Sequence, residues 1–105
     1  MDDLFGLTED DLKNIVAVLK KEKAIEQAVI FGSRSKGNYK NGSDVDIALK
    51  GKQLTDKIIS HISFVLNQET LMPYKFDVLN YHTITNKDLT DHIDRVGEIF
   101  YLTSP

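Results

Sequence analysis

The stretch from Phe31 to Leu49, FGSRSKGNYKNGSDVDIAL, constrains the fold of this chain more than any other. Gly32-Ser33 breaks a short apolar run, and after ten further residues Asp44 and Asp46 open a second run in which every other residue is apolar. This period of two is typical of a β-strand with two unlike faces. We therefore predict two strands joined through a polar loop, with both aspartates on the same side of the second strand.

The rest of the chain alternates between helical and strand patterns. Apolar residues recur at helical spacing in three segments, and short apolar runs lie between and after them. The predicted helices are Thr8–Glu22, Leu54–Leu66 and a third that begins at Thr85 or Asn86 and ends at Gly97; the predicted strands are Gln27–Phe31, Asp44–Leu49, Lys75–Asn80 and Glu98–Leu102. The predicted fold class is α+β or α/β, with a small mixed sheet of three to four strands covered by helices.

Length and composition narrow the class of protein. The 105 residues suffice for one core, so we expect a single domain over residues 1–105. The net charge of −3 makes direct binding to nucleic acid an unfavoured function, although lysines and an arginine surround the Gly-Ser stretch. There is no cysteine, no apolar run as long as a membrane span, and no signal-like N-terminus. We expect a cytoplasmic protein with no membrane association.

Three aspartates are candidates for metal binding. Asp44 and Asp46 are two residues apart in a strand, so their side chains point to the same side about 7 Å apart. Asp77 lies in another strand pattern, KFDVLNY. Oxygen ligands favour Mg²⁺, and carboxylates gathered without a cation would repel each other and raise their pKa values. Taken singly, each aspartate also fits an ordinary surface position.

The Gly-Ser pair has two interpretations. In one, Gly32 allows a phosphate to approach the backbone, and the N–H groups of the turn and the Ser33 hydroxyl bind it. In the other, Ser33 only caps a single helical turn, SRSKG. Arg34 and Lys36 are either phosphate-neutralising or solvated loop residues. Further along the loop, Asn41-Gly42 is a hairpin signal.

Together these features resemble the signature of the nucleotidyltransferase superfamily that includes DNA polymerase β: Gly-Ser, ten residues, Asp-x-Asp, and a later Asp inside a strand. The short chain, the start of the motif near residue 30 and the segment FGSRSKG resemble the smallest branch, the minimal nucleotidyltransferases, called MNT proteins. The resemblance covers roughly residues 25–102.

This resemblance implies a polymerase β-like fold with the site at one end of the sheet. It also implies transfer of a nucleoside monophosphate, such as AMP from ATP, to a hydroxyl with the help of two Mg²⁺ ions. By position, the implied site residues are Gly32, Ser33, Arg34 and Lys36 for the triphosphate, and Asp44, Asp46 and Asp77 for the metals and catalysis.

MNT proteins are typically encoded beside a small helical HEPN protein, and such pairs look like toxin–antitoxin systems. The resemblance therefore implies an antitoxin that transfers AMP to a HEPN partner in a hetero-oligomer. Two alternatives are an antitoxin that acts by occupying its partner without catalysis, and a transferase for small molecules such as aminoglycosides. Since no element remains to bind an acceptor, we expect a second protein to supply that surface.

Overall fold

Every helix and strand predicted outside the 34–43 loop is present in the computed structural model, which describes residues 5–32, 34, 37 and 44–103. The helices are α1 (Glu9–Lys20), α2 (Asp56–Phe64) and α3 (Lys87–Val96); the strands are β1 (Gln27–Phe31), β2 (Val45–Lys50), β3 (Phe76–Asn80) and β4 (Glu98–Leu102). The predicted turn at Ser33 and the predicted hairpin turn at Asn41-Gly42 lie outside the described residues. No described helix has the length and apolarity needed to cross a membrane.

The four strands form one mixed sheet in the order β3-β2-β1-β4. Strand β1 is antiparallel to both β2 and β4, whereas β2 and β3 are parallel. A parallel pair needs a crossover connection, and α2 supplies it. The predicted fold class, a mixed sheet covered by helices, is confirmed.

One face of the sheet carries the main core. Ile30 of β1 and Ile47 of β2 are buried in a cluster that also contains Ile15 and Leu19 of α1 and Ile62 of α2. These helical residues belong to the apolar stripes that the sequence shows at helical spacing. Helices α1 and α2 therefore cover this face.

The opposite face is covered by α3, but only in part. Ile93 of α3 is buried in a second cluster with Ala48 of β2, and Leu79 of β3 packs against that cluster. Because side chains two residues apart in a strand share a face, Asp46 and Asp77 lie on this same face, one step beyond Ala48 and Leu79. The apolar cover under α3 thus ends where the aspartates begin.

Helix caps settle most of the predicted boundaries. Thr8 forms a reciprocal capping box with Asp11 at the start of α1, and the Asn86 side chain, rather than Thr85, caps α3. Gly97 ends α3 as predicted, although its φ of −68° is an ordinary value. The reason for glycine is space, since a Cβ there would overlap the carbonyl oxygen of Ile93.

The end of α2 differs from the prediction. The sequence pattern predicts a helix over Leu54–Leu66; in the structure the α-helix covers Asp56–Phe64 and continues as a π-helical turn over Val65–Glu69. Within that turn the Asn67 side chain accepts a hydrogen bond from the Phe76 N–H at 2.8 Å and donates one to the Phe76 carbonyl at 2.9 Å. The wider turn directs Asn67 at strand β3, a contact that apolar periodicity does not reveal.

Candidate functional site

Two of the predicted aspartates are direct neighbours across the parallel strand pair. Asp46 of β2 is the register partner of Asp77 of β3, so the two side chains stand beside each other on the same face. Asp44 lies just before β2 and is exposed. On the other side of β2, Phe31 is the register partner of Asp46. The sheet therefore brings all three aspartates to one end, next to the end of β1.

The electrostatics of Asp46 reflect this crowding. Burial raises the pKa of Asp46 from 3.8 to about 6, with further contributions from the negative charges of Asp77 and then Asp44. The positive charge of Arg34 acts in the opposite direction. Like charges held this close favour a proton or a cation between them.

Gly32 lies against the Asp46 carboxylate. Its φ is +77°, in the left-handed region that glycine adopts without strain. A Cβ at this position would overlap Oδ2 of Asp46. The turn after β1 and the carboxylate on β2 are therefore in contact only because residue 32 has no side chain.

Arg34 is a buried member of the site region. It is 3% exposed, its guanidinium donates a hydrogen bond to the Phe5 carbonyl at 2.8 Å, and its Cζ lies 5.0 Å from the centre of the Tyr74 ring. Its charge still reaches Asp46. The predicted contact of Arg34 with phosphate stays a prediction, and the predicted roles of Ser33 and Lys36 concern residues that lie outside the described ranges.

Tyr74 connects this arginine to the first helix. Its hydroxyl donates a hydrogen bond to Asp11 Oδ2 at 2.8 Å, and the same oxygen accepts the Thr8 N–H at 3.2 Å. The pKa of Tyr74 is raised, first by burial and then by this hydrogen bond. The segment before β3, the start of α1 and the Arg34 side chain are therefore joined in one network beside the aspartates.

We expect Tyr74→Phe to lower the free energy of unfolding by ~1 kcal/mol, because the variant loses only the hydrogen bond to Asp11 and keeps the ring beneath Arg34. Urea unfolding of the purified variant measures this value. Tyr101→Phe, a hydroxyl deletion on β4, is the control and should change stability by less. Equal losses in both variants would contradict a specific role for the bond to Asp11.

The sequence patterns did not single out His92. Its ring meets the Phe31 ring edge-on, with centres 6.3 Å apart, and Phe31 is the neighbour of Asp46 across the sheet. His92 directly precedes Ile93, which belongs to the apolar stripe of α3. Its position next to this stripe could have indicated that the His92 side chain lies near the sheet. It places an imidazole beside the end of β1.

The aspartates do not form a ready-made cage. Among the described residues, no group of three or more histidine, cysteine, aspartate or glutamate side chains is gathered closely enough to hold a metal ion. One or two carboxylates suffice for Mg²⁺ when phosphate oxygens and waters complete its shell. The adjacent pair Asp46 and Asp77, with the raised pKa of Asp46, fits a site in which two carboxylates share the Mg²⁺ ion with phosphate and water.

Comparison with protein families gives one match over most of the chain. Residues 13–105 match the model described as polymerase beta, nucleotidyltransferase. No curated protein matches the sequence.

Solved structures of similar fold include toxin–antitoxin complexes. A toxin–antitoxin structure with AMP-PNP superposes with a TM-score of 0.71 at 18% identity, covering 92% of this chain and 75% of the other. A second structure contains the tri-AMPylated HEPN toxin of Shewanella oneidensis with an MNT antitoxin; its TM-score is 0.70 at 16% identity, with 92% and 74% covered. At these identities the similarity shows the fold, a polymerase β-like nucleotidyltransferase sheet.

Proposed function

Because the chain belongs to the polymerase β nucleotidyltransferase family, we propose that it transfers AMP from ATP, with Mg²⁺, to a hydroxyl on a HEPN-family partner protein. The observation that carries the proposal is the pairing of Asp46 with Asp77 beside Gly32. This places a pair of carboxylates that can bind a metal directly against the turn after β1. We place the activity in the cytoplasm.

Each part of the site has a defined task in this proposal. Gly32 and the turn that follows it bind the triphosphate through main-chain N–H groups, which can donate hydrogen bonds to phosphate oxygens. Asp44, Asp46 and Asp77 would hold two Mg²⁺ ions, which when bound neutralise phosphate charge and activate the attacking oxygen. Arg34 adds positive charge close to Asp46.

The reaction transfers one group and releases pyrophosphate. The acceptor hydroxyl oxygen forms a bond to the α-phosphorus of ATP while the α–β phosphoanhydride bond breaks. Asp77, on the edge of the cluster and exposed, receives the hydroxyl proton or orients the hydroxyl for its loss. The sheet contributes rate mainly by holding these groups in fixed positions.

The nature of the acceptor is proposed from two neighbours of similar fold. One is a complex with an AMPylated HEPN toxin and the other holds AMP-PNP. A chain with the same sheet and intact aspartates is suited to the same chemistry on a HEPN protein, and so to an antitoxin role. An antitoxin that only occupies its partner is the second candidate, and the experiment below separates the two.

We expect the purified chain with Mg·ATP and its HEPN partner to add AMP covalently to that partner, and Asp77→Asn to reduce the transfer by at least about a hundredfold. Intact mass spectrometry of the partner measures the modification, and calorimetry measures Mg·ATP binding. The control Asp91→Asn removes an exposed carboxylate from α3 and should transfer AMP normally.

Two results would contradict catalysis by this site. One is an unmodified partner that nonetheless binds the wild-type chain and the Asp77→Asn variant equally well, which would support the occupancy role. The other is transfer of AMP to an aminoglycoside by the chain alone, which would support a small-molecule transferase.

A further inference from the structure

Strand β3 is an edge strand, and its outward hydrogen-bonding groups can be assigned. The Lys75 carbonyl accepts the Val45 N–H at 2.9 Å, so the main-chain groups of Lys75 point to β2. Direction alternates along a strand, and the N–H and C=O groups of Phe76, Val78 and Asn80 therefore point to the outer edge. The sheet order confirms that no strand of the described chain lies there.

Within the chain, one of these three positions is satisfied at both main-chain groups and a second at its carbonyl. The Asn67 side chain bonds both main-chain groups of Phe76, and the Thr83 hydroxyl donates to the Asn80 carbonyl at 3.2 Å. Between them, the N–H and C=O of Val78 form no hydrogen bond with any described residue. The outer edge is thus occupied at Phe76, occupied at the carbonyl of Asn80, and open at Val78.

Asn67 shows what kind of ligand this edge accepts. Its carboxamide presents a donor and an acceptor side by side, as the N–H and C=O of one residue in an antiparallel strand do, and its nitrogen also donates to the Ser63 carbonyl at 2.9 Å. It pairs with Phe76 as a neighbouring strand would. A residue of an added antiparallel strand, placed two residues further along, would meet Val78 with the same pair of bonds through its own N–H and C=O.

A groove of about 810 Å³ runs beside this open position. Its lining includes Ser60, Ser63 and Phe64 of α2, Tyr74, and Val78 itself. Phe64 is 56% exposed, which leaves an aromatic surface available to an apolar side chain. The volume is within the range of sites that bind small ligands or short segments.

We propose that the edge of β3 at Val78 binds an extended segment of the protein that receives the nucleotide, through a pair of main-chain hydrogen bonds. This inference rests on the proposed function and names the surface that holds the acceptor. Strand addition at an exposed edge is a general mode of peptide recognition, in which the main chain gives affinity and alternate side chains give specificity. The groove and the aspartates lie on the two sides of the same strand.

The placement of side chains explains why this edge suits an acceptor. In an added antiparallel segment, the residue opposite Val78 points into the groove beside α2, since Val78 faces the main core. The next residue of the segment points to the other face, alongside Asp77. Asp46, Asp77 and that acceptor side chain then stand in one row across three strands. A hydroxyl there is directed at the aspartates.

Hydrogen exchange of the ¹⁵N-labelled chain, alone and with its HEPN partner, tests this directly. In the free chain the Val78 amide should exchange faster than those of Asp77 and Leu79, which point to β2. With the partner bound, exchange at Val78 should slow by at least about tenfold. The internal control is Leu102 on the opposite edge, whose N–H points outward because the neighbouring Thr103 N–H bonds Glu26; it should not change.

A matched pair of proline variants gives a second readout. Proline is tolerated on an edge strand where the N–H faces outward, and both Val78→Pro and Leu102→Pro meet that condition. Val78→Pro should lower AMP transfer to the partner by at least about tenfold, with Mg·ATP binding unchanged, whereas Leu102→Pro should transfer normally. The exchange experiment uses the wild-type chain and stays decisive if Val78→Pro does not fold.

The outcomes separate this inference from the proposed function. AMP transfer with an unprotected Val78 overturns strand addition and leaves the transferase intact. Protection of Val78 without any AMP transfer supports the binding surface and contradicts the proposed reaction. Protection of Leu102 instead of Val78 assigns the partner to the β4 edge, and no binding of the partner at all also overturns the inference.

Discussion

Gly32→Ala is expected to lose ~2–5 kcal/mol of stability and nearly all nucleotide binding. A non-glycine residue in the left-handed region costs ~1–2 kcal/mol, and overpacking against a neighbour adds ~1–3 kcal/mol. Here the neighbour is Asp46 Oδ2, so the turn or the carboxylate must move. Thermal unfolding measures the first effect, and calorimetry with Mg·ATP measures the second.

Gly37 offers a matched control for this prediction. Its φ of +81° imposes the same backbone cost on alanine, but a Cβ there has no described atom within 4 Å. Gly37→Ala should therefore show only the backbone penalty and keep its affinity for Mg·ATP. If the two alanine variants are equally stable and bind nucleotide equally well, contact with Asp46 is not the reason for glycine at position 32.

Asp46→Asn should move stability and activity in opposite directions. The pKa of Asp46 is raised to about 6, so its charged form is disfavoured in the folded chain at neutral pH. The full shift corresponds to at most ~3 kcal/mol, and solvent access to the half-buried carboxylate reduces the expected gain in stability to ~1 kcal/mol. Transfer of AMP should fall by at least about a hundredfold, because a ligand of the metals is lost.

The sign of the pH dependence follows from proton uptake. Between about pH 4 and pH 6 the folded chain holds a proton on Asp46 that the unfolded chain has lost, so this contribution to stability decreases as pH rises. Urea unfolding at several pH values should show the decrease in the wild type and not in Asp46→Asn. Mg²⁺ should stabilise the wild type at pH 7 and the variant much less. The control Asp91→Asn should show the same pH dependence as the wild type. If Asp46→Asn also kept that pH dependence, the assignment to Asp46 would be refuted.

Local patterns in the sequence were sufficient to predict most of the fold. The alternation around Asp46 predicts its strand, the stripe through Ile15 and Leu19 predicts α1, and capping residues predict the starts of α1 and α3. These signals are short in range and depend on the nearest few residues. They place each element along the chain, and the structure contains each of them.

Contacts between distant segments were not predictable in the same way. The register of Asp46 with Asp77 depends on which strands pair. The sequence indicates that the two residues lie on neighbouring strands, but it does not give the residue that stands opposite Asp46. The burial of Arg34 between Phe5 and Tyr74 is likewise a tertiary contact. The neighbours of Arg34 in sequence are turn formers, which are typical of a solvated loop. The burial of its side chain is visible only in the folded chain.

The parallel pairing of β2 with β3 has a consequence for how the site comes into being. The two aspartates are brought together only when α2 has crossed over and closed a long loop, and closing such a loop costs entropy before its contacts form. Non-local parallel pairing is intrinsically slow to form. The contact of Gly32 with Asp46 depends instead on the antiparallel β1–β2 pair, because Gly32 directly follows β1, and this pair needs a shorter loop closure. We therefore expect a folding chain to form the contact of Gly32 with Asp46 before the pair of Asp46 with Asp77, so that the proposed transfer requires β3 to be in place.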